Sequence, residues 1–105
     1  QGCSNSTRGL VMGGVTPSVS DVIDYITIAT LGNATDFGNL AAASERVGSA
    51  ASPTRALGFA GGVPGGTVNT IQYVEILTTG NAVDFGDMTN ASSGAAACSN
   101  AHGGL

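Results

Sequence analysis

Hydrophobic and polar positions along this chain fall into one pattern that recurs. A short apolar run, Leu10-Val11-Met12, ends in the pair Gly13-Gly14. A loop containing Pro17 follows, replaced in the second copy by Pro64-Gly65-Gly66. Next come VIDYITIAT at 22–30 and TIQYVEILT at 70–78, both rich in the β-branched and aromatic residues that favour strands. In the first of these, Ile23 and Tyr25 alternate onto one face, and Val22, Ile26 and Ile28 onto the other. Both faces are apolar, so the strand is expected to be covered on both sides. Gly32-Asn33 and Gly80-Asn81 predict a tight turn, since both residue types tolerate positive φ. Asp36-Phe37 and Asp84-Phe85 then mark a short outer strand. Runs of small residues, Val47 to Ser52 and Ala95 to Asn100, predict a strand in a crowded place. Helical 3.6-residue periodicity is missing, which excludes a helical solenoid, and the shorter coils of a β-helix are not seen.

Set at an offset of 48, residues 13–57 and 61–105 share sixteen identities in 45 positions. The densest block is GNATDFG at 32–38 against GNAVDFG at 80–86. Upstream, TRGLVMGG at 7–14 matches TRALGFAGG at 54–62 with one residue inserted, and CSNAHGGL at 98–105 mirrors CSNSTRGL at 3–10. The chain is thus a single repeat domain over 1–105. It divides into a first blade repeat at 1–47, a second at 48–95 and the start of a third at 96–105. Four strands in about 48 residues is the blade of a β-propeller, with the small-residue strand innermost where blades converge.

Composition narrows the functions available. The chain has 17 glycines, no lysine or tryptophan, 10% charged residues and a net charge of −4. A nucleic-acid partner would need a basic surface to displace counterions, and the cations are only Arg8, Arg46 and Arg55. No apolar run reaches the ~18 to 20 residues of a membrane helix, so no membrane insertion is expected. The opening on Gln1, with no signal-peptide core, predicts a mature product, a fragment or an excised stretch.

Candidate chemistry is sparse. DFG occurs at 36–38 and 84–86, but a kinase would also need a strand lysine. The repeat accounts for it, with Phe37 and Phe85 packing between blades and Asp36 and Asp84 bonding turn amides. Gly13-Gly14 and Gly61-Gly62 lack phosphate-loop spacing and predict a sharp turn at the end of an inner strand. His102, the only histidine, has no partner suited to catalysis or metal binding. The acidic residues Asp21, Asp24, Glu45, Glu75 and Asp87 show no calcium-loop spacing. Sequons at Asn5, Asn33 and Asn90 match the pattern by chance. Cys3 and Cys98 occupy the position of Ala50 in the middle copy and read as small packing residues; a disulfide or reactive thiol is the other reading. Arg8 and Arg55 recur at one position. They predict either a salt bridge or carbonyl clamp between adjacent blades, or a ring of cations contacting an anionic glycan. No catalytic residue, cofactor or metal site is expected.

These residues resemble the kelch motif, in which a hydrophobic strand leads into a double glycine, a spaced aromatic, an outer-strand tryptophan and a later arginine. Leu10-Val11-Met12-Gly13-Gly14, Tyr25, Phe37 and Arg46 match those elements, as do Phe59-Ala60-Gly61-Gly62, Tyr73 and Phe85. Phenylalanine replaces the tryptophan, and Gly94 stands where the second arginine would be. VIDYITIATLGNATDFG at 22–38 is also similar to tandem repeats in tail or structural proteins of marine bacteriophages. The resemblance implies an all-β, kelch-like propeller in a virion or extracellular setting, with loops displayed for host-surface, protein or glycan recognition. The loops that differ most, 15–21 against 63–69, are the expected recognition surface. The other expectation is a purely architectural, self-assembling propeller fragment without a ligand. A copper oxidase on such a propeller would need more than one histidine. Two four-stranded blades do not close a circle, so the ring is expected to be completed by other copies or by a longer parent chain. Three copies would give six blades and four would give eight; six is preferred, because kelch-type blades often occur in sixes and sevens and seven is not divisible by two.

Overall fold

A computed structural model describes residues 1–100, which form two four-stranded antiparallel sheets without a helix. The first sheet runs β1 (Gly2–Ser4), β2 (Arg8–Val15), β3 (Val19–Thr27) and β4 (Thr35–Asn39), in that spatial order. The second repeats it with β5 (Gly48–Ala51), β6 (Arg55–Val63), β7 (Gly66–Glu75) and β8 (Val83–Ser92). Each sheet is a meander in which sequential strands pair, and its small-residue strand lies at one edge. The two sheets do not close on themselves.

Turn chemistry repeats in each sheet. Asn5 Oδ1 accepts the amides of Thr7 and Arg8 between β1 and β2. Ser52 Oγ does the same for Thr54 and Arg55 between β5 and β6. Short polar side chains offer the backbone such local partners and so fix the bend.

The sheets stack face to face. Leu10, Met12, Ile23 and Phe37 of the first sheet bury against Ala56, Val74 and Ile76 of the second, with Leu40 and Val47 of the connecting segment closing the core. Glycine makes the approach possible, since a Cβ on Gly58 would lie 3.2 Å from Val47 and 3.4 Å from the Met12 sulfur. The buried Gln72 is satisfied across the interface, where its Oε1 accepts the Ala41 amide at 2.8 Å.

Several sequence expectations are corrected. The long strands start and stop about three residues earlier than 22–30 and 70–78 suggest, because Ser20 and Val19 pair with Gly14 and Val15. Ile28 and Ile76 consequently fall in the turn after the strand, and Gly32-Asn33 and Gly80-Asn81 lie beyond that turn. The double glycines do not end a strand. They sit at β-bulges inside β2 and β6. Backbone angles also shift the alignment there: Gly13 (φ 60°) and Gly14 (136°) correspond to Ala60 (56°) and Gly61 (137°), so the inserted residue belongs to the following hairpin. No strand forms over 95–100. Its equivalents at 2–4 and 48–51 are strands because β2 and β6 lie beside them, and no corresponding strand flanks 95–100. The expectations for His102 and for the last residues of the third copy lie outside the described residues.

Candidate functional site

The residues singled out in the sequence assemble into one ladder that occurs twice. Across β2, β3 and β4, the Arg8 guanidinium carbon lies 4.4 Å from the centroid of Tyr25, and Tyr25 meets Phe37 edge-on at 5.8 Å and 84°. In the second sheet Arg55 lies 4.7 Å over Tyr73, which meets Phe85 at 6.1 Å and 84°. Edge-to-face rings and a cation over a ring face are both favoured by the aromatic quadrupole. The internal geometry of the two ladders is nearly the same.

Their surroundings are opposite. Phe37 is 3% exposed beneath the second sheet, whereas Phe85 is 55% exposed, so within one chain only Phe37 packs between sheets. The reverse faces show the complementary asymmetry. Ile76 and Val74 are 0% and 3% exposed, while their equivalents Ile28 and Ile26 are 51% and 46% exposed. The expectation of a strand covered on both sides therefore fails for β3, on whose second face none of the described residues packs. Each sheet uses one face for the interface, and it is a different face in each.

Polar contacts follow the same logic. Arg8 Nη1 crosses to the second sheet and donates to the Ile76 carbonyl at 2.9 Å. Arg55 instead pairs with Glu75 in its own sheet, at 3.0 Å and with both side chains at least a third exposed. The repeated GNA/DFG block forms a backbone latch between sheets. Gly80 N donates to the Phe37 carbonyl and Ala82 N to the Asn39 carbonyl, both at 2.8 Å, while Asn81 Oδ1 accepts the Asn39 amide at 3.0 Å. Gly38 has to be glycine here, because a Cβ would lie 2.2 Å from the Gly80 oxygen and φ is 150°. Asp36 and Asp84 each accept the amide two residues on, Gly38 and Gly86, which holds the strand in this shape.

Neither cysteine is bonded in a disulfide. Cys3 is half-buried and Cys98 exposed, and burial pushes the Cys3 thiol up, against a smaller opposing effect of the Ser49 side chain. Among the described residues no group of three histidine, cysteine or acidic side chains is placed to hold a metal. Two shallow grooves lie among the described residues. One, of about 380 Å³, is lined by Gly9, Val11, Asp24 and Ile26 on the open face of the first sheet. The other, of about 300 Å³, is lined by Arg55, Leu57, Phe59, Phe85 and Cys98 on the open face of the second.

No family model and no curated protein matches the chain. What the site can do must therefore be read from its geometry. Each groove lies on the face of its sheet that is turned away from the other sheet, and the second sets Ser52, Arg55, Ser99 and Asn100 beside Leu57, Phe59 and Phe85. The signal in the sequence was the paired recurrence of Arg8/Arg55, Tyr25/Tyr73 and Phe37/Phe85. Missing from it was the ladder, because its members come from three different strands across a bulge.

Proposed function

We propose that the chain is a non-enzymatic structural module, two adjacent kelch-like blades of a β-propeller belonging to a virion tail or fibre. One observation carries this reading. The two sheets stack in series through unlike faces, so equivalent residues are buried in one sheet and open in the other. A stack with that polarity extends in one sense only, and a radial arrangement of such sheets is what closes it. The virion setting comes from the resemblance of residues 22–38 to phage tail repeats.

Within this reading two roles differ in their surface. A recognition role would place host glycan or protein contacts on the hairpins at 15–21 and 63–69, presented by a rigid scaffold. The purely architectural role is favoured by hairpin length: only Thr16–Ser18 and Pro64–Gly65 lie between the strands. Electron microscopy of the assembled protein tests the propeller, with averages expected to show six or eight radial blades around a channel. A filament or a flat stack would count against it. Screening the same particles on host-surface glycans and host cells separates the two roles, since saturable binding abolished by hairpin substitution supports recognition.

A further inference from the structure

We propose that the outer edge of the second sheet, Phe85-Gly86-Asp87, receives the Gly32-Asn33-Ala34 loop of a second copy of this chain. That copy seats its first sheet on the open face of the second. The inference rests on the reading of the sheets as successive blades, and it names the contact that joins one chain to the next.

Inside the chain the contact already exists once. The Gly80-Asn81-Ala82 loop lies on Phe37-Gly38-Asn39 through three hydrogen bonds. Gly32-Asn33-Ala34 is the same tripeptide, and Phe85-Gly86-Asp87 offers the same backbone, differing only in Asp87 for Asn39. Only the backbone of residue 39 takes part in those bonds, so the substitution leaves the latch intact. Carried to the next junction, Gly32 N donates to the Phe85 carbonyl, Ala34 N donates to the Asp87 carbonyl, and Asn33 Oδ1 accepts the Asp87 amide.

Gly86 is the second, independent sign. Its φ of 149° matches the 150° of Gly38, yet none of the described residues lies within 4 Å of where its Cβ would be. The position is shaped for a close backbone approach that the single chain does not supply. Arg55 gives a third. Arg8 donates to the carbonyl of Ile76, and the equivalent of Ile76 is Ile28, exposed on the opposite open face. Arg55 therefore meets the Ile28 carbonyl of the second copy, while Phe85 is covered by that copy's Ile26 face. Asp24 stands there in place of Gln72 and retains a side-chain acceptor. At the inner edge, Cys98–Asn100 borders Ala50–Ser52, where the second copy's identical Cys3-Ser4-Asn5 would also run. Seating the second copy's first sheet there requires Cys98–Asn100 to yield that edge to Cys3-Ser4-Asn5, whereas the latch lies at the opposite edge and uses neither segment.

The test uses two single variants of the full chain, Ile26→Glu on one open face and Phe85→Glu on the other. Both sites are about half exposed within the chain, so circular dichroism and thermal unfolding of dilute protein should stay like the parent. By analytical ultracentrifugation over a concentration series, the parent chain should exceed one chain mass. Each variant should remain a single chain to at least about a hundred-fold higher concentration, since a buried unpaired carboxylate costs several kcal/mol. An equimolar mixture of the two should form a complex of two chains, because each variant retains the face the other has lost. Asn33→Ala should weaken the parent assembly by roughly ten-fold, the worth of one hydrogen bond. A parent chain that stays at one chain mass, variants that assemble like the parent, or a mixture that stays monomeric would each overturn the contact. A filament formed by a parent whose variants complement would uphold the contact and sink the propeller instead.

Discussion

A methyl group on Gly38 would lie 2.2 Å from the Gly80 carbonyl oxygen, whereas the same group on Gly86 would meet none of the described residues. Both glycines have φ near 150°, a conformation that costs other residues of order 1–3 kcal/mol. Gly86→Ala in dilute protein should therefore lose only that strain. Gly38→Ala adds a backbone clash at the junction of the sheets, and its thermal midpoint should fall at least about twice as far. Gly13 and Ala60 make a related pair, with φ of 60° and 56°. Ala60 shows that alanine is accepted at this angle, but a Cβ on Gly13 would lie 2.2 Å from the Ser44 oxygen. The neighbour, not the angle, forbids the methyl group. At Cys3 the governing effect is burial, which raises the thiol pKa. A folded value above the unfolded one means that its stabilising contribution is present below the unfolded pKa, ~8.5. The contribution is lost as pH rises through the folded value. Urea unfolding at pH 7 and pH 10 should show a larger alkaline loss for the parent than for Cys3→Ala. A thiol reagent at pH 8 should label the exposed Cys98 before Cys3.

Sheet by sheet, equivalent side chains should differ sharply in their effect. Phe37 is enclosed by the second sheet, so Phe37→Ala should cost about 3–5 kcal/mol, while Phe85→Ala in dilute protein should cost under about 1 kcal/mol. Arg8→Ala removes a bond to the Ile76 carbonyl and a stack on Tyr25, together about 2 kcal/mol. Arg55→Ala removes an equivalent stack and an exposed ion pair that is worth little. Denaturant midpoints of the four variants would check this order. Much of the strand arrangement was legible because the repeat displays each element twice and the β-branched segments are dense. Strand limits were less so: Ser20 and Asp21 look like loop residues, yet β3 begins at Val19 because the bulge at Gly13 lets β2 continue alongside it. Val22, Ile26 and Ile28 signalled a covered face, and among the described residues nothing covers it; under the proposed contact a second copy does. The latch could not be read at all. GNATDFG announces that its residues recur, but the reason is a contact between the Gly-Asn-Ala of one copy and the Phe-Gly of the copy before.

At the scale of the molecule, the proposed contact couples stability to concentration through the two open faces. An interface joined through unlike faces leaves one donor and one acceptor surface on every chain, and each added chain recreates both. Assembly then stabilises the folded state by mass action, because unfolded chains present neither face. The thermal midpoint of the parent should rise with protein concentration, and that of Phe85→Glu should not. Ile26→Glu should behave like Phe85→Glu although it alters the other side of the molecule and a different sheet. A contact that used the same face on both partners would instead leave one of these variants fully concentration-dependent. Differential scanning calorimetry over a hundred-fold range of concentration distinguishes the two cases without knowing the number of chains. Closure adds one further expectation. In an open stack the average mass keeps growing with concentration, whereas a ring has no exposed end and its mass levels off once every face is covered. Sedimentation of the parent to a constant mass, above the two chains at which an equimolar mixture of Phe85→Glu and Ile26→Glu is locked, would therefore separate a closed circle of sheets from a growing column.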